Sequence, residues 1–426
     1  DLVQVALDRH DRDSAQAVLD RLTAVDPGHR LTVAVRWALS LYDHDSRGVL
    51  DCVNRTLEMY PDNPRLQMIK ISCLVDQTSR DERLKILREL CDTKEAQPQA
   101  WQHYAGELLC DSREHAEAEY WIRRSIRSRS FTGSDFGILG SILWDRLERE
   151  TALELFRFSS CLETVREGNA KQYFQSATYL NRTPEAIRLL ENRFKRFAAK
   201  SAEPAFTLCW AYTERGEIKK AFATLEKAIE LRPDDGDLLC YAARIFASYG
   251  RFGEGDRLLD RAKGVSRRTD WLYAAARIAD YRGEPQVALD YYRELGRLDP
   301  ISAEVHQCIA SHTADLESSE AAIEHLENVV RQHPFNLELR SLLIAWLDDE
   351  EPTRHEKAIR ELLALNSSDP EANRQLGWAL MAQNRLDEAL RQAETVCRLD
   401  PRAPQSYLLM AVVWLQMGNI EAVKEL

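Results

Sequence analysis

The sequence predicts an all-α protein made of about twelve consecutive helical hairpins. Three observations support this fold class: a pattern that returns about every 34 residues, a small residue at a fixed place in most copies, and a proline after many of them. A recurrence of this length predicts an array of equivalent units. The stretch "GEIKKAFATLEKAIELRPDD" at 216–235 contains one copy, with a glycine, a run of helix-forming residues and a proline.

Each copy is marked by an anchor residue that is small or apolar. Ala221 is followed four residues later by Leu225 and twelve residues later by Pro233. Two helices approach closely only where side chains are small, so the anchors predict the seam between the helices of a hairpin. Their mean spacing is 34.0 residues. The thirteen anchor positions are Ala15, Val49, Leu84, Ala118, Ala152, Ala186, Ala221, Gly255, Ala288, Ala322, Ala358, Ala389 and Val423.

The half-unit before each anchor predicts the first helix of the hairpin. Small residues recur twelve positions before the anchors, at Gly106, Gly140, Cys209, Ala243, Ala276, Gly377 and Ala411. Glycines five positions before the anchors, at Gly216, Gly250, Gly283 and Gly418, predict the turn between the two helices. Seven prolines twelve positions after the anchors predict the end of the second helix: Pro27, Pro61, Pro233, Pro300, Pro334, Pro370 and Pro401.

The period, together with "QLGWAL" (375–380), "AFATLEKAIELRP" (221–233) and "GNIEA" (418–422), resembles the tetratricopeptide repeat (TPR). This resemblance implies a right-handed α-solenoid in which the first helices form the concave wall. We expect residues 1–426 to form a single superhelical array, degenerate around 62–100 and with an incomplete last hairpin at 426. An unrelated array of helical hairpins with another period is the alternative.

Composition limits the functional classes. A net charge of -12 and a pI near 5.5 argue against nucleic-acid binding over the whole surface. The longest apolar run, at 407–415, is about half of what a membrane span requires, so no membrane partner is expected. The nine cysteines are dispersed and form no C-x-x-C pair, which predicts reduced thiols and a cytoplasmic protein.

No catalytic motif is present. The sequence contains no G-x-x-x-x-G-K-[ST], H-E-x-x-H or G-x-S-x-G pattern, and neither a cofactor nor a metal site is expected. An arginine cluster at 121–131, with Arg123, Arg124, Arg127 and Arg129, lies by its position on a second helix. Such a cluster is either a solvated face, which we favour, or a site for phosphate or an acidic partner.

The first helices are the better candidates for binding. Residues fifteen, eleven and eight positions before each anchor share one helix face, and by the resemblance that face lines the groove. Aromatic residues and arginines are concentrated there, the residue types of interaction hot spots. The predicted partner-binding residues are Phe206, Trp210, Arg244, Tyr273, Arg277, Arg374 and Trp378, with Trp144 at the matching place in an earlier repeat. The alternative is that they only stack on adjacent hairpins or pair with nearby carboxylates.

These observations predict a non-catalytic scaffold for protein–protein interaction. The expected partner is a protein or peptide, acidic and with aromatic residues, bound in the concave groove. The alternative is the substrate-recognition TPR arm of a larger multidomain enzyme whose catalytic domain lies outside this segment. Nucleic-acid binding through a helical-repeat code needs a basic groove, which the acidic composition disfavours.

Overall fold

The structure, a computed structural model, describes residues 3, 6–7, 11–43, 45–61, 63–74, 78–92, 98–109, 111, 114–128, 131–163, 167–347, 352–401 and 403–424. These residues form helices and no strand, which confirms the all-α prediction. The helices are α1 (Arg12–Val25), α2 (Arg30–Tyr42), α3 (Ser46–Met59), α4 (Pro64–Leu74), α5 (Arg80–Cys91), α6 (Pro98–Leu108), α7 (His115–Arg127), α8 (Gly133–Asp145), α9 (Arg149–Leu162), α10 (Gly168–Tyr179), α11 (Thr183–Phe197), α12 (Glu203–Glu214), α13 (Ile218–Leu231), α14 (Gly236–Ser248), α15 (Phe252–Ala262), α16 (Arg268–Arg282), α17 (Pro285–Leu298), α18 (Ala303–Leu316), α19 (Ser319–Gln332), α20 (Leu337–Trp346), α21 (Pro352–Leu365), α22 (Pro370–Ala382), α23 (Leu386–Leu399), α24 (Pro404–Gln416) and α25 (Ile420–Lys424).

The helices follow the predicted hairpin order. From α2 onward, each even-numbered helix is the first helix of a hairpin and contacts the odd-numbered second helix after it. The described part of the chain therefore contains twelve hairpins after α1, as the 34-residue period predicts. Stacked helical hairpins of this kind form an α-solenoid. The right-handed sense of the array stays a prediction.

The chain divides into two compact units. Unit 1 comprises Asp1–Pro61 and Ser125–Pro300, and unit 2 comprises Asp62–Arg124 and Ile301–Leu426. In unit 2, residues of α18 to α24 share one apolar cluster that includes Leu326, Leu343, Leu376 and Leu409. In unit 1, Phe156, Tyr173 and Tyr292 are among the largest side chains that are fully buried. Each unit therefore has an apolar core of its own.

The anchors lie where the pattern predicts, within the first seven residues of second helices. All are buried except Leu84 and Val423, which are half-buried. In α13, Ala221 is buried together with Leu225 and Ala228, one face at a spacing of four and three residues. Burying a leucine side chain contributes about 1.5–3 kcal/mol, so the larger residue after each anchor carries much of the seam energy. In the degenerate region the buried leucine of α5 is Leu87 instead of Leu84.

The turn between the helices of a hairpin has one recurring backbone conformation. Gly216, Gly250, Gly283 and Gly418 all have positive φ angles of 70–79°, as their position predicts. The same place in other repeats is occupied by Leu147, Asn181 and Asn384, whose φ angles are 66°, 59° and 58°. A residue with a side chain pays an energetic penalty in this left-handed region, which is why glycine recurs there. The conformation is thus a property of the hairpin, and it persists where glycine is missing.

One predicted helix stop is wrong. Six of the seven prolines follow the end of a second helix by two residues, but Pro370 is the first residue of α22. The preceding helix, α21, ends at Leu365, and its anchor Ala358 is the seventh residue of that helix, whereas Ala221 is the fourth residue of α13. Proline is tolerated both after a helix and at the first helical position, so its presence alone does not distinguish the two.

Candidate partner-binding face of the first helices

The seven predicted binding residues lie on first helices and are all half-buried. Five of them are in unit 1, on α12, α14 and α16. Arg374 and Trp378 are in unit 2, one helical turn apart on α22. The structure therefore brings together Phe206, Trp210, Arg244, Tyr273 and Arg277, and the other two residues form a separate pair.

First helices of neighbouring hairpins also contact one another. In unit 1, α8 contacts α10, α10 contacts α12, and α14 contacts α16. In unit 2, α18 contacts α20 and α22 contacts α24. Side chains on one first helix are therefore within reach of those on the next, and they form a surface that continues across hairpins within a unit.

On this surface in unit 1, four side chains form what we call the aromatic ladder: Phe206, Tyr241, Arg244 and Tyr273. The rings of Phe206 and Tyr241 have centroids 4.4 Å apart at an interplanar angle of 32°. The Arg244 guanidinium lies 5.2 Å from the Tyr241 ring centroid and 5.3 Å from that of Tyr273. Offset aromatic pairs and cation–π contacts each contribute about 0.5–1.5 kcal/mol, so these contacts hold the side chains of three hairpins in fixed positions.

Tyr241 is the residue that connects the ladder, and the sequence did not single it out. Its hydroxyl donates a hydrogen bond to the carbonyl oxygen of Phe206 at 3.4 Å. Burial raises the pKa of the Tyr241 hydroxyl well above its usual value, so the ring stays neutral. In the sequence, Tyr241 lies fourteen residues before the anchor Gly255. It directly follows Cys240, which lies fifteen residues before the anchor and belongs to the predicted binding face.

Arg244 has a charge that the described residues do not neutralise. No carboxylate of the described residues lies within ion-pair distance of its guanidinium, whose contacts are the two tyrosine rings. A ring face attracts the cation without consuming its N–H donors, which lie at the edge of the guanidinium plane. Arg244 can therefore donate forked hydrogen bonds to a carboxylate of a ligand.

Arg277 is more strongly engaged within the protein. Its guanidinium lies 3.4 Å from Asp280 and donates a hydrogen bond to the Tyr281 hydroxyl at 3.1 Å. The Tyr292 hydroxyl in turn donates to Asp280 at 2.7 Å. Burial on its own would lower the pKa of Arg277. Hydrogen bonds with Tyr281 and Tyr292 raise the pKa by more than burial lowers it, so the guanidinium stays charged. Arg277 therefore pairs with a nearby carboxylate, and its role in partner binding stays a prediction.

The tryptophans contact neighbouring hairpins. Trp210 meets Phe174 of the preceding first helix edge to face, with centroids 5.2 Å apart. Trp144 lies 5.5 Å from the Tyr179 ring, and the Arg149 guanidinium covers both rings at 5.7 Å and 4.7 Å. Both tryptophans are half-buried, so each stacks on an adjacent hairpin and still presents part of its ring to solvent.

In unit 2, the pair on α22 has partners of its own. Arg374 forms an ion pair with Glu371 at 3.0 Å, and its side chain is 17% exposed. Trp378 packs against the apolar cluster of unit 2. This pair offers a smaller polar and aromatic surface than the ladder.

The arginine cluster at 121–131 lies on second helix α7, as predicted, except that Arg129 lies outside the described residues. The Arg124 guanidinium is 4.5 Å from the Trp101 ring centroid and 5.3 Å from that of Trp121. Arg123 pairs with Glu119 at 2.7 Å, one turn away on the same exposed helix. Much of this positive charge is thus engaged locally.

Within the described residues, no group of three or more His, Cys, Asp and Glu side chains has an arrangement that could hold a metal ion. None of the described helices is both long enough and apolar enough to cross a membrane.

Comparison with known proteins places the repeats. Sequence profiles of the tetratricopeptide repeat match residues 205–235 and, in two overlapping stretches, residues 347–404 and 374–422. These stretches of the chain contain tetratricopeptide repeats. The matched stretches include the hairpin of α12 and α13 and those at the end of the chain. Of the first-helix face described above, Phe206 and Trp210 lie in the first matched stretch, and Arg374 and Trp378 lie in the overlapping ones.

Similar proteins and structures extend over different parts of the chain. Human protein O-mannosyl-transferase TMTC1 is 26% identical over 188 residues, which cover 42% of this chain and 20% of that protein. The matched region thus spans a fifth of that relative. The crystal structure of yeast Tom70 covers 98% of this chain and 96% of its own at 11% identity, with a TM-score of 0.45. MamA of Desulfovibrio magneticus RS-1 covers 37% and 90% at 17% identity, with a TM-score of 0.32.

Proposed function

We propose that this chain is a non-catalytic interaction scaffold that binds an acidic, aromatic-containing segment of a partner protein along the first helices of unit 1. The single observation that carries the proposal is the aromatic ladder, in which the unneutralised Arg244 lies between two tyrosine rings. Half-buried aromatic faces beside an arginine that pairs with none of the described carboxylates suit a ligand that supplies both an apolar surface and a negative charge.

The binding energy would come from a few side chains. A ligand that covers Phe206, Trp210 and Tyr273 removes rigid aromatic faces from water at a small cost in side-chain entropy. Arg244 then pairs with a ligand carboxylate in a partly desolvated place, where a charge-assisted hydrogen bond is strong. Hot-spot residues of these types contribute on the order of 2 kcal/mol each. Arg277 contributes mainly through its contacts with Asp280 and Tyr281, which keep the first-helix face in place. Arg374 and Trp378 form a second, weaker contact region in unit 2.

The wider properties of the chain fit a soluble partner protein. The repeat pattern continues from Ala15 to Val423, and we propose that residues 1–426 form one array. The net charge of -12 disfavours nucleic acid and anionic membrane surfaces as ligands. We place the protein in the cytoplasm, where free thiols persist, because the described cysteines are free and most are buried.

The experiment begins with a partner protein captured by the whole chain, whose binding segment is mapped by truncation and then synthesised as a peptide. Its affinity is measured by isothermal titration calorimetry against the wild-type chain and against Trp210→Ala with Arg244→Ala. We expect the double variant to weaken binding by about 3–4 kcal/mol. Neutralising the acidic residues of the peptide should reduce affinity for the wild type and have little further effect on the double variant.

Matched control variants separate the face from general charge effects. Arg257→Ala with Arg297→Ala removes two exposed arginines from second helices α15 and α17, an equal change in net charge. Binding to this control should stay within about 0.5 kcal/mol of the wild type, as is usual for surface substitutions. Equal losses of affinity in the two double variants, or wild-type affinity of Trp210→Ala with Arg244→Ala, would contradict the proposal.

A second candidate function is the recognition arm of a larger glycosyltransferase. It is favoured by the 26% identity to a human protein named O-mannosyl-transferase, of which the matched region spans a fifth. In that case the first-helix face would hold the acceptor protein while a domain outside this segment transfers the sugar.

The two candidates differ in the fate of the bound partner. The test uses mass spectrometry of the partner after incubation with the full-length protein that contains this segment and a mannosyl donor. Addition of hexose that is lost with Trp210→Ala and Arg244→Ala would support the arm. An unmodified partner that still binds would support the scaffold alone.

A further inference from the structure

A cavity of about 410 Å³ opens between α9, α10 and α11 in unit 1, and no feature of the first-helix face involves it. Its wall includes four arginines, one amide and two aromatic rings: Arg157, Arg188, Arg193, Arg196, Asn192, Tyr173 and Phe197. The arginines come from second helices α9 and α11, one repeat apart. In a chain with a net charge of -12, this is a local concentration of positive charge around a concave space.

The innermost arginine is a structural part of the wall. The Arg193 side chain is 7% exposed and pairs with Glu167, itself 1% exposed, at 2.8 Å. It also donates hydrogen bonds to the carbonyl oxygens of Ser160 and Glu163. Arg193 joins α9, α10 and α11 and fixes the shape of the cavity, but its positive charge is neutralised by Glu167 within the protein.

The three outer arginines of the cavity, Arg157, Arg188 and Arg196, are accessible to a ligand. Arg188 and Arg196 are exposed on α11, and among the described residues no carboxylate is within ion-pair distance of either guanidinium. Among the described residues, Arg157 pairs only with Glu154 of its own helix, and both side chains are about half exposed, so this pair is weak. Glu185, the acidic residue at the cavity, accepts a hydrogen bond from Arg182 at 2.8 Å.

From this arrangement we infer that the cavity binds a phosphorylated side chain of a partner protein. Arg157, Arg188 and Arg196 supply forked N–H donors from two helices, and Asn192 adds an amide donor from α11. A phosphate group has about two negative charges and three acceptor oxygens, so it engages several guanidinium groups at once, whereas a carboxylate engages fewer. The volume falls within the range of ligand pockets, which leaves space for the phosphate and the side chain that carries it.

The probe is a fluorescein-labelled degenerate peptide pool with a fixed central phosphoserine, compared with pools that carry serine or glutamate at that place. Fluorescence anisotropy with the whole chain should give an affinity for the phosphoserine pool about tenfold or more above that for the serine pool. The glutamate pool should fall between them. Raising the salt concentration should weaken the phosphoserine complex.

Arg188→Ala with Arg196→Ala should reduce affinity for the phosphoserine pool about tenfold or more, because it removes the two unpaired guanidinium groups. The matched control is again Arg257→Ala with Arg297→Ala, which should change affinity less than about twofold. The double variant of the first-helix face, Trp210→Ala with Arg244→Ala, should also bind the phosphoserine pool with wild-type affinity. This separates the cavity from the proposed partner-binding face, so either proposal can fail alone.

A second readout uses the wild-type chain. Cys161 is exposed and lines the cavity, whereas Cys308 and Cys397 are half-buried in unit 2. Bound phosphopeptide should slow alkylation of Cys161, measured by mass spectrometry, and leave the other two unchanged. Equal affinity for the serine pool, an unaffected arginine variant, or equal protection of Cys161 by inorganic phosphate at the same concentration would overturn the assignment to a peptide-borne phosphate.

Discussion

Gly140→Ala tests the physical basis of the hairpin seam. Gly140 lies on α8, and a Cβ atom there would be 2.6 Å and 2.8 Å from two ring carbons of Phe156 on α9. The Phe156 ring is completely buried and belongs to the residue four positions after the anchor Ala152. The ring therefore has little space to move away. The position requires glycine because of this close approach between the two helices.

The magnitude follows from two opposed effects. Overpacking a well-packed core costs about 1–3 kcal/mol, and the contact distances place this case in the upper part of that range. Replacing glycine by alanine inside a helix returns about 1 kcal/mol. We therefore expect Gly140→Ala to lower the local free energy of unfolding by about 1–2 kcal/mol. Phe156→Leu should relieve the clash, so the cost of Gly140→Ala should be smaller in that background.

The assay is hydrogen exchange measured by mass spectrometry, because long repeat arrays need not unfold in a single two-state step. Loss of protection should concentrate in α8 and α9. Gly253→Ala is the matched control, since a Cβ there meets no atom within 4 Å, and it should be neutral or slightly stabilising. If Gly140→Ala were as stable as Gly253→Ala, the close-approach account of the seam would be refuted.

Three further predictions concern stability. Leu147→Gly, at an exposed turn residue with φ of 66°, should raise the melting temperature and stabilise by about 1 kcal/mol, and a lower melting temperature would contradict the strain. Burial and the neighbouring Asp237 raise the pKa of Asp270 to about 6, so its stabilising contribution is full below about pH 4 and is lost as pH rises through 6. Asp270→Asn should therefore stabilise by about 2–3 kcal/mol at pH 8 and by little below pH 4 in urea unfolding, and a pH-independent effect would argue against the shift. Arg193→Met should cost about 3–5 kcal/mol in urea unfolding by leaving Glu167 buried without its partner, and Glu167→Met in addition should recover much of the loss.

Local chemistry made much of the fold predictable. Small anchors such as Ala221 indicate a close approach of two helices, and glycines such as Gly250 indicate the left-handed turn. Both structural features depend on residue type, so the sequence predicts them. Leu147 shows the limit, because the turn conformation persists there without the residue that signals it. Pro370 shows another limit, because one residue type serves both as a stop and as a helix start.

The site was less predictable because it depends on contacts between repeats. Phe206 and Arg244 could be assigned to the first-helix face from their spacing, but Tyr241, which joins them, lies one position away from that face. The arginine cavity was missed altogether, since Arg157 and Arg188 are 31 positions apart and neither belongs to a local motif. The sequence instead shows a local charge cluster at 121–131, and Arg124 of that cluster lies over two tryptophan rings.

Site-specific photo-crosslinking shows whether partners bind to the first helices. A benzoylphenylalanine residue is placed either at Thr213 on first helix α12 or at the exposed Val287 on second helix α17. With the partner segment bound, we predict an efficient crosslink from position 213 and none above background from position 287. A crosslink from position 287 with none from position 213 would contradict the claim.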